Sequence, residues 1–434
     1  GRFMITVTAN PGVNLKDVEE AIFEAFEMFE KEGFTEEDLT RIKARNETNF
    51  YNNFSSVLMK SFTLGQYQMF KNDPSFYKTD FINTQSVKAE DIKRVYEKYI
   101  KGKNYVATSF VPKGEVNLIA ENSVNAGIVE EDVTKAAEVK TELMAEEPIV
   151  KTPTKTDRSK QPPLGPDPEV TLPLVWTGKL TNGIGIYGIT HSELPLVNYS
   201  IIIEGGHQLD ELSKAGLANL TAAVMNEGTK NKTPEELEDA IRLLGASISV
   251  SASNETVTFR VSTLARNFEK TLALVEEMLF EPRWDQEQFN LAKIRIVNNL
   301  KRNQANPNYL ASTTLNKLIY GKDNIMATEL SGKIGSVDSL TIDDLKGFYE
   351  KNFSPTLAKI VVAGDVDLKR VEKAFAALSE KWKAKNVEIP RMIIPEAPAK
   401  SQIYFVDVPG SKQSVIYIGA PSVSRINPDY YPVL

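Results

Sequence analysis

Cysteine is absent from this 434-residue chain and histidine occurs only twice. Without cysteine there is no disulfide, no thiolate nucleophile and no cysteine-ligated zinc or iron–sulfur centre. The two histidines, His191 and His207, stand 16 positions apart, too far for the i, i+4 pairing that sets two imidazoles on one helix face toward a metal. A zinc site made from this chain alone is therefore not expected. An excess of basic charge is also missing: 51 Lys and Arg against 58 Asp and Glu leave a net charge of −7, which offers no surface for counterion-driven nucleic-acid binding. No apolar run reaches the roughly 18 residues of a membrane span, and no succession of basic, apolar and small residues marks a signal peptide. What is present is 41% hydrophobic, 25% charged and 9% aromatic, the composition of ordinary globular proteins. At one domain per roughly 100–200 residues, two to four domains are expected.

The chain repeats itself. Shifted by about 250 positions, its first 114 residues fall on residues 252–365. Asp91, Lys93, Tyr96, Glu97 and Lys98 meet Asp344, Lys346, Tyr349, Glu350 and Lys351 at a constant offset of 253. Upstream, at an offset of 250, Phe34, Glu37, Leu39 and Lys43 meet Trp284, Glu287, Phe289 and Lys293, and Val18, Glu19, Glu27 and Met28 meet Phe268, Glu269, Glu277 and Met278. The repeated unit reads as strand, long helix, second long helix, further helix and strand. Asn14 is the expected N-cap of a helix whose apolar face is Leu15, Val18, Ile22, Phe26 and Phe29, and Gly33 stops it. Thr35 with Asp38, and Asp285 with Gln288, open the second helix in each copy. Period-two alternation in RFMITVTA and ETVTFRVSTL predicts strands, and NYVATSFVP and LAKIVVAGD are read as the closing pair.

Residues 115–172 change character, ending in KTPTKTDRSKQPPLGPDPEV, and read as an extended, semi-rigid linker. After it, LTNGIGIYGIT predicts a hairpin whose Asn182-Gly183 suits a type I′ turn. The strand NYSIIIEGG follows, then a helix over 213–226 and another opened by Thr233, Pro234 and Glu236. Residues 173–400 thus form one complete unit and residues 1–114 the C-terminal part of an earlier one. SQIYFVDV and SVIYIGAP, within residues 401–434, predict the strands that start a further unit, with Tyr430, Tyr431 and Pro432 opening a helix. Partial units at both ends are the arrangement expected of a portion of a longer protein.

The order strand, EGGHQLDE, then SKAGLANLTAAVMNEGTKNKTPEELEDAIRLLGA resembles the insulinase/pitrilysin family of zinc metallopeptidases, which includes the mitochondrial processing peptidase. In that family an inverted zinc motif, H-x-x-E-H, follows Gly-Leu-Ala and precedes a Gly-Thr turn, and a further glutamate ligand lies some seventy residues downstream. Here Asn219, Ala222 and Ala223 stand where the resemblance implies His, Glu and His, and the downstream glutamate falls near Asn299. Alanine can neither ligate zinc nor deprotonate water. Residues 288–303 contain no carboxylate and carry Lys293, Arg295, Lys301 and Arg302, the wrong charge beside a cation.

The fold class expected is α+β: repeated units, each an antiparallel sheet with helices packed on one face. The resemblance implies four related units in two halves that close like a clamshell around a peptide chamber, with zinc in the first unit. This chain is then the end of the second unit, the linker, the inactive third unit and the start of the fourth. Its expected role is non-catalytic: chamber wall, hinge and peptide exosite, with ASISVSAS the edge strand considered for peptide. Zinc belongs to the parent protein and none to this chain. The expected partners are the catalytic half of the same protein and peptide substrate, with no nucleic acid and no membrane span, in the bacterial periplasm or cell envelope. The alternative is a non-enzymatic scaffold, as in the core subunits of the respiratory cytochrome complex. His191 and His207 are read as solvated loop residues, and the basic stripe from Lys293 to Arg302 as a solvated face.

Overall fold

The computed structural model describes residues 2–10, 12–127, 157, 159–161, 165–166, 169, 171–391, 395–396, 399–409 and 413–434. Most of the expected linker lies outside these residues. The chain divides into two compact units, one of Gly1–Thr35 with Lys93–Leu172 and one of Glu36–Ile92 with Pro173–Leu434.

Five helices come first: α1 (Leu15–Glu32), α2 (Glu36–Ser55), α3 (Val57–Lys71), α4 (Tyr77–Ser86) and α5 (Ala89–Tyr99). Then follow β1 (Trp176–Lys179), β2 (Gly185–Thr190), β3 (Leu196–Glu204), α6 (Leu217–Met225), α7 (Pro234–Leu243), β4 (Ser247–Ala252), β5 (Thr256–Leu264) and α8 (Phe268–Phe280). The remainder is α9 (Gln286–Asn303), α10 (Pro307–Tyr320), α11 (Ile334–Ser339), α12 (Ile342–Asn352), β6 (Ala358–Gly364), α13 (Leu368–Ala374), α14 (Ala376–Lys381) and α15 (Tyr430–Val433).

In the first unit, Asn14 caps α1 by accepting from the Lys16 N–H at 2.9 Å, and Gly33 ends it at a φ of 72°. The apolar side of α1 meets Tyr96, whose ring lies 5.9 Å from Phe26 and 4.9 Å from Phe29, and whose hydroxyl donates to Glu30 at 2.8 Å.

The second unit contains one six-stranded sheet of order β1-β2-β6-β3-β5-β4. Every neighbouring pair is antiparallel except β2 with β6, which run parallel. Alternate residues of the strands, Ile186, Val197, Tyr199, Ile201, Ile203, Val257, Phe259, Ile360 and Val362, are buried. They form one core with Leu220 and Val224 of α6, Phe268, Leu272, Val275 and Met278 of α8, Phe289 of α9 and Phe348 of α12. The helices therefore cover one face of the sheet, the α+β arrangement that the alternating pattern predicts. Local signals hold as well. Thr233 and Glu236 form a reciprocal capping box at α7 with Pro234 at its start, and Asp285 caps α9.

Two expectations fail for physical reasons. The β1–β2 turn is not type I′. Gly183 has a φ of 96° but Asn182 is not left-handed, and the Gly183 N–H reaches Leu180 O at 2.9 Å. This is the three-residue connection with glycine in the bulge position. The segments RFMITVTA, NYVATSFVP, SQIYFVDV and SVIYIGAP form no strand and pair with none among the described residues. Alternation supplies a two-faced ribbon, but a strand also needs a neighbour to hydrogen-bond.

Candidate functional site

The site to be judged is the N-terminal end of α6 and what packs on it. The Asp210 carboxylate caps this helix from six residues upstream: Oδ2 accepts from the Gly216 N–H at 3.0 Å and Oδ1 from the Ala218 N–H at 2.9 Å, satisfying two donors of the first turn. The same Oδ2 lies 2.9 Å from Nδ1 of His207, whose Nε2 lies 3.0 Å from the Thr328 carbonyl oxygen. His207 is fully buried, so its reading as a solvated loop residue is corrected. Both ring nitrogens face acceptor oxygens, an arrangement that favours the doubly protonated imidazolium over either neutral tautomer. Burial alone pushes its pKa down, but the Asp210 carboxylate and the backbone carbonyls of Thr328 and Ile325 outweigh burial and raise it above the ordinary value. The short spacing His-x-x-Asp was the one signal in the sequence that pointed here. Its second partner, 121 residues away, had none.

The loop that supplies Thr328 continues over the start of α6. Ser336 Oγ donates to Ala215 O at 2.8 Å. Gly332, at a φ of 74°, passes so close that a Cβ there would stand 2.1 Å from the same oxygen. His191, by contrast, is exposed and 3.9 Å from Glu193.

The positions that the resemblance marks for metal do not fit it. Ala222 is 2% exposed and belongs to the apolar core, Ala223 packs against that core, and Asn219 is half-buried. Asn299 is exposed on α9, and its Oδ1 accepts from Arg302 at 2.7 Å. Two alanines bring no donor atom, and one amide does not make a zinc ligand set. Among the described residues no three of His, Cys, Asp and Glu gather to hold a metal ion. The basic stripe of α9 has structural employment: Lys293 donates to the carbonyls of Asp338 and Leu340 at 2.6 and 3.0 Å, and Arg295 lies 3.2 Å from Glu227 at the end of α6.

Two sheet surfaces remain as places for a peptide. The uncovered face carries Asn198, Glu204, Arg260, Tyr187 and Val361, all exposed, with Arg260 donating to Ser251 at 2.7 Å and Lys359 3.6 Å from Glu204. The other surface is the free edge of β4. In its register with β5, Val250 opposes Phe259, and the next bonded pair is Ser253 with Thr256, so the backbone groups of Ile248, Val250 and Ala252 point outward. The central rung is taken. Asn226 Oδ1 accepts from the Val250 N–H at 2.8 Å, and Nδ2 donates to Val250 O at 2.9 Å and to Ala222 O at 2.8 Å. The amide side chain stands where the backbone of an added strand would pair, and no sequence signal identified it.

A family model described as insulinase, peptidase family M16, matches residues 189–328, and one described as the peptidase M16 inactive domain matches residues 339–434. Together they take in more than half of the chain. A Helicobacter pylori protein described as the non-peptidase homolog YmxG is 25% identical over 232 residues, covering 52% of this chain and 52% of its own length. The beta subunit of the mitochondrial-processing peptidase of Saccharomyces cerevisiae is 21% identical over 267 residues, covering 61% and 57%. Among solved structures, a peptidase M16 inactive domain from Pseudomonas fluorescens is 24% identical with a TM-score of 0.49, covering 52% of this chain and 54% of that one. The chain spans about half the length of the curated relatives it matches. The two family models, falling in sequence on the sheet and helices that surround a helix without ligands, identify the chain as a member of the insulinase family, peptidase family M16.

Proposed function

We propose that this chain is a non-catalytic portion of a zinc-dependent metalloendopeptidase, serving as wall and hinge of a chamber that holds peptide substrate. The observation that carries the reading is α6, the counterpart of the family's metal helix on the resemblance: Ala222 is sealed in the apolar core, and Asn219 and Ala223 bring no ligand pair. For the whole protein the reaction is hydrolysis of peptide bonds by a zinc-activated water with a glutamate as base, and this chain holds none of those groups. The catalytic half of the same protein is its partner. The uncovered sheet face supplies the wall, with both charge signs and the exposed rings and branches of Tyr187 and Val361 available to an extended peptide. A peptide exosite along β4 requires displacement of the Asn226 amide from Val250.

A scaffold without peptidase activity is the second reading, favoured by the relative described as a non-peptidase homolog. Elemental analysis for zinc and a peptide-cleavage assay, run on this chain and on the product of its native gene, separate the readings. Zinc near one per chain, with chelator-sensitive cleavage, in the native product alone supports the proposal. Zinc in neither supports the scaffold. Zinc-dependent cleavage by this chain alone overturns both.

A further inference from the structure

Helix α2 precedes the linker in sequence, yet it belongs to the same compact unit as the sheet. It packs on α7, and the polar links on this face cross long stretches of chain. Thr48 Oγ1 donates to Gly245 O at 2.6 Å, 197 positions away, and the Arg41 guanidinium pairs with Asp239, 198 positions away. Both carboxylate oxygens of Glu47 accept from the guanidinium of Arg266, just after β5, at 2.6 Å each, a bidentate pair that fixes direction as well as distance. Leu39, Ala44 and Thr48 of α2 are buried.

The fit depends on Gly245. It lies just past the end of α7 at a φ of 60°, and a Cβ there would stand 2.7 Å from Thr48 Oγ1 and 2.8 Å from Ala44 O, so glycine is what lets the two backbones meet. Arg41, Ala44 and Thr48 share one face of α2 at i, i+3 and i+7. The repeat shows that this face is particular to α2. At the offset of 250 the counterparts on α9 are Leu291, Ile294 and Asn298, which bring neither the guanidinium nor the hydroxyl. Helix α4 is tied to α2 in turn: Phe50 stacks on Phe81 with ring centroids 4.3 Å apart, Phe54 lies 4.6 Å from Tyr77, and Gln85 donates to Lys43 O at 3.1 Å.

We propose that the α7 face, with Gly245 and Arg266, is a docking surface that holds α2 without help from the linker. It would accept a separate polypeptide bearing α2 to α4, so the protein persists as two pieces when the linker is cut. A flexible linker gives the groups it joins an effective concentration in the millimolar range, and once it is cut the contact must hold by itself. Exposed ion pairs alone are too weak for that. Burial of Leu39, the close approach at Gly245 and the hydrogen bond of Thr48 supply the apolar and directional parts that ion pairs lack. The inference goes beyond the proposed function and depends on neither zinc nor peptide.

A site for a specific protease, placed between Val150 and Lys151 of the full chain, tests it by size-exclusion chromatography of the cut protein at micromolar concentration. The expected result is two pieces that elute together, in equal amounts, at the volume of the uncut chain. Glu47→Arg sets two cations against each other and is expected to raise the dissociation constant of the cut pieces by at least about tenfold. Adding Arg266→Glu to that variant is expected to recover most of the loss. Separation of the parent's pieces overturns the docking surface. Pieces of the Glu47→Arg protein that associate as tightly as the parent's also overturn it, because the contact at Arg266 then carries none of the association. A loss that Arg266→Glu does not recover is misfolding of α2 rather than a broken pair, and it overturns the assignment as well.

Discussion

Asn226 and Val250 are joined by two hydrogen bonds in which a side-chain amide serves a strand as its neighbour: Val250 N–H to Oδ1 at 2.8 Å and Nδ2 to Val250 O at 2.9 Å. Removing the amide leaves both backbone groups of a half-closed edge without a partner. Asn226→Ala is expected to cost about 1–3 kcal/mol, read from the urea midpoint, and to speed exchange of the Val250 amide. An open edge also invites pairing with another chain, so the variant should self-associate at concentrations where the parent does not. An unchanged midpoint and an unchanged Val250 exchange rate would show that the amide does not guard the edge.

His207 gives stability an alkaline limit. Its pKa in the folded chain is raised from 6.5, so its contribution is fully present below about pH 6.5 and is lost as pH rises through the raised value. Glu277 and Asp344, whose burial is outweighed by Lys232 and Lys214, are lowered and act at the acid end instead. Unfolding free energy between pH 5 and 9 should therefore fall on the alkaline side, and His207→Gln should flatten that limb. A parent profile with no decline on the alkaline side would contradict the raised pKa of His207.

A glutamate at Ala222, where the resemblance implies a general base, is expected to unfold α6 from its core rather than to activate it. Ala222 is 2% exposed among apolar neighbours, and an unpaired carboxylate there costs about 3–5 kcal/mol. Ala222→Glu should lower the melting temperature far more than Ala223→Glu, whose site is half-buried. Thermal unfolding of the two variants decides this, and equal losses would mean that α6 sits more openly than described.

Gly332→Ala tests the loop over α6. The new Cβ would meet Ala215 O at 2.1 Å, at a φ of 74° that alanine rarely adopts. A loss of about 1–3 kcal/mol is expected, and the alkaline limb of the pH profile should weaken because the Thr328 carbonyl moves with the loop. Stability equal to the parent would show that the loop is free to shift.

Much of this was legible locally. The capping box at Thr233, the caps at Asn14 and Asp285, the strand NYSIIIEGG of β3 and the alternation of β5 are short-range patterns, and each is formed as read. The strands expected at residues 2–9, 104–112, 401–408 and 414–421 did not form because pairing is not a local property. His207 was misplaced for the same reason: a Gly-Gly-His loop looks solvated until the loop around Thr328 closes on it.

The sequence by itself determined the chemistry that α6 cannot perform, because alanine lacks donor atoms in any fold, and it determined the family through a motif frame and a repeat that survive without their ligands. The tertiary structure alone decided that His207 is buried between Asp210 and the Thr328 carbonyl, that Asn226 closes the β4 edge and that β3 is bonded on both sides. Each of these joins residues from 3 positions apart, as in His207 and Asp210, to 167 apart, as in Val197 and Gly364, through burial or a shared ladder, and only the packed chain brings such groups within hydrogen-bonding distance.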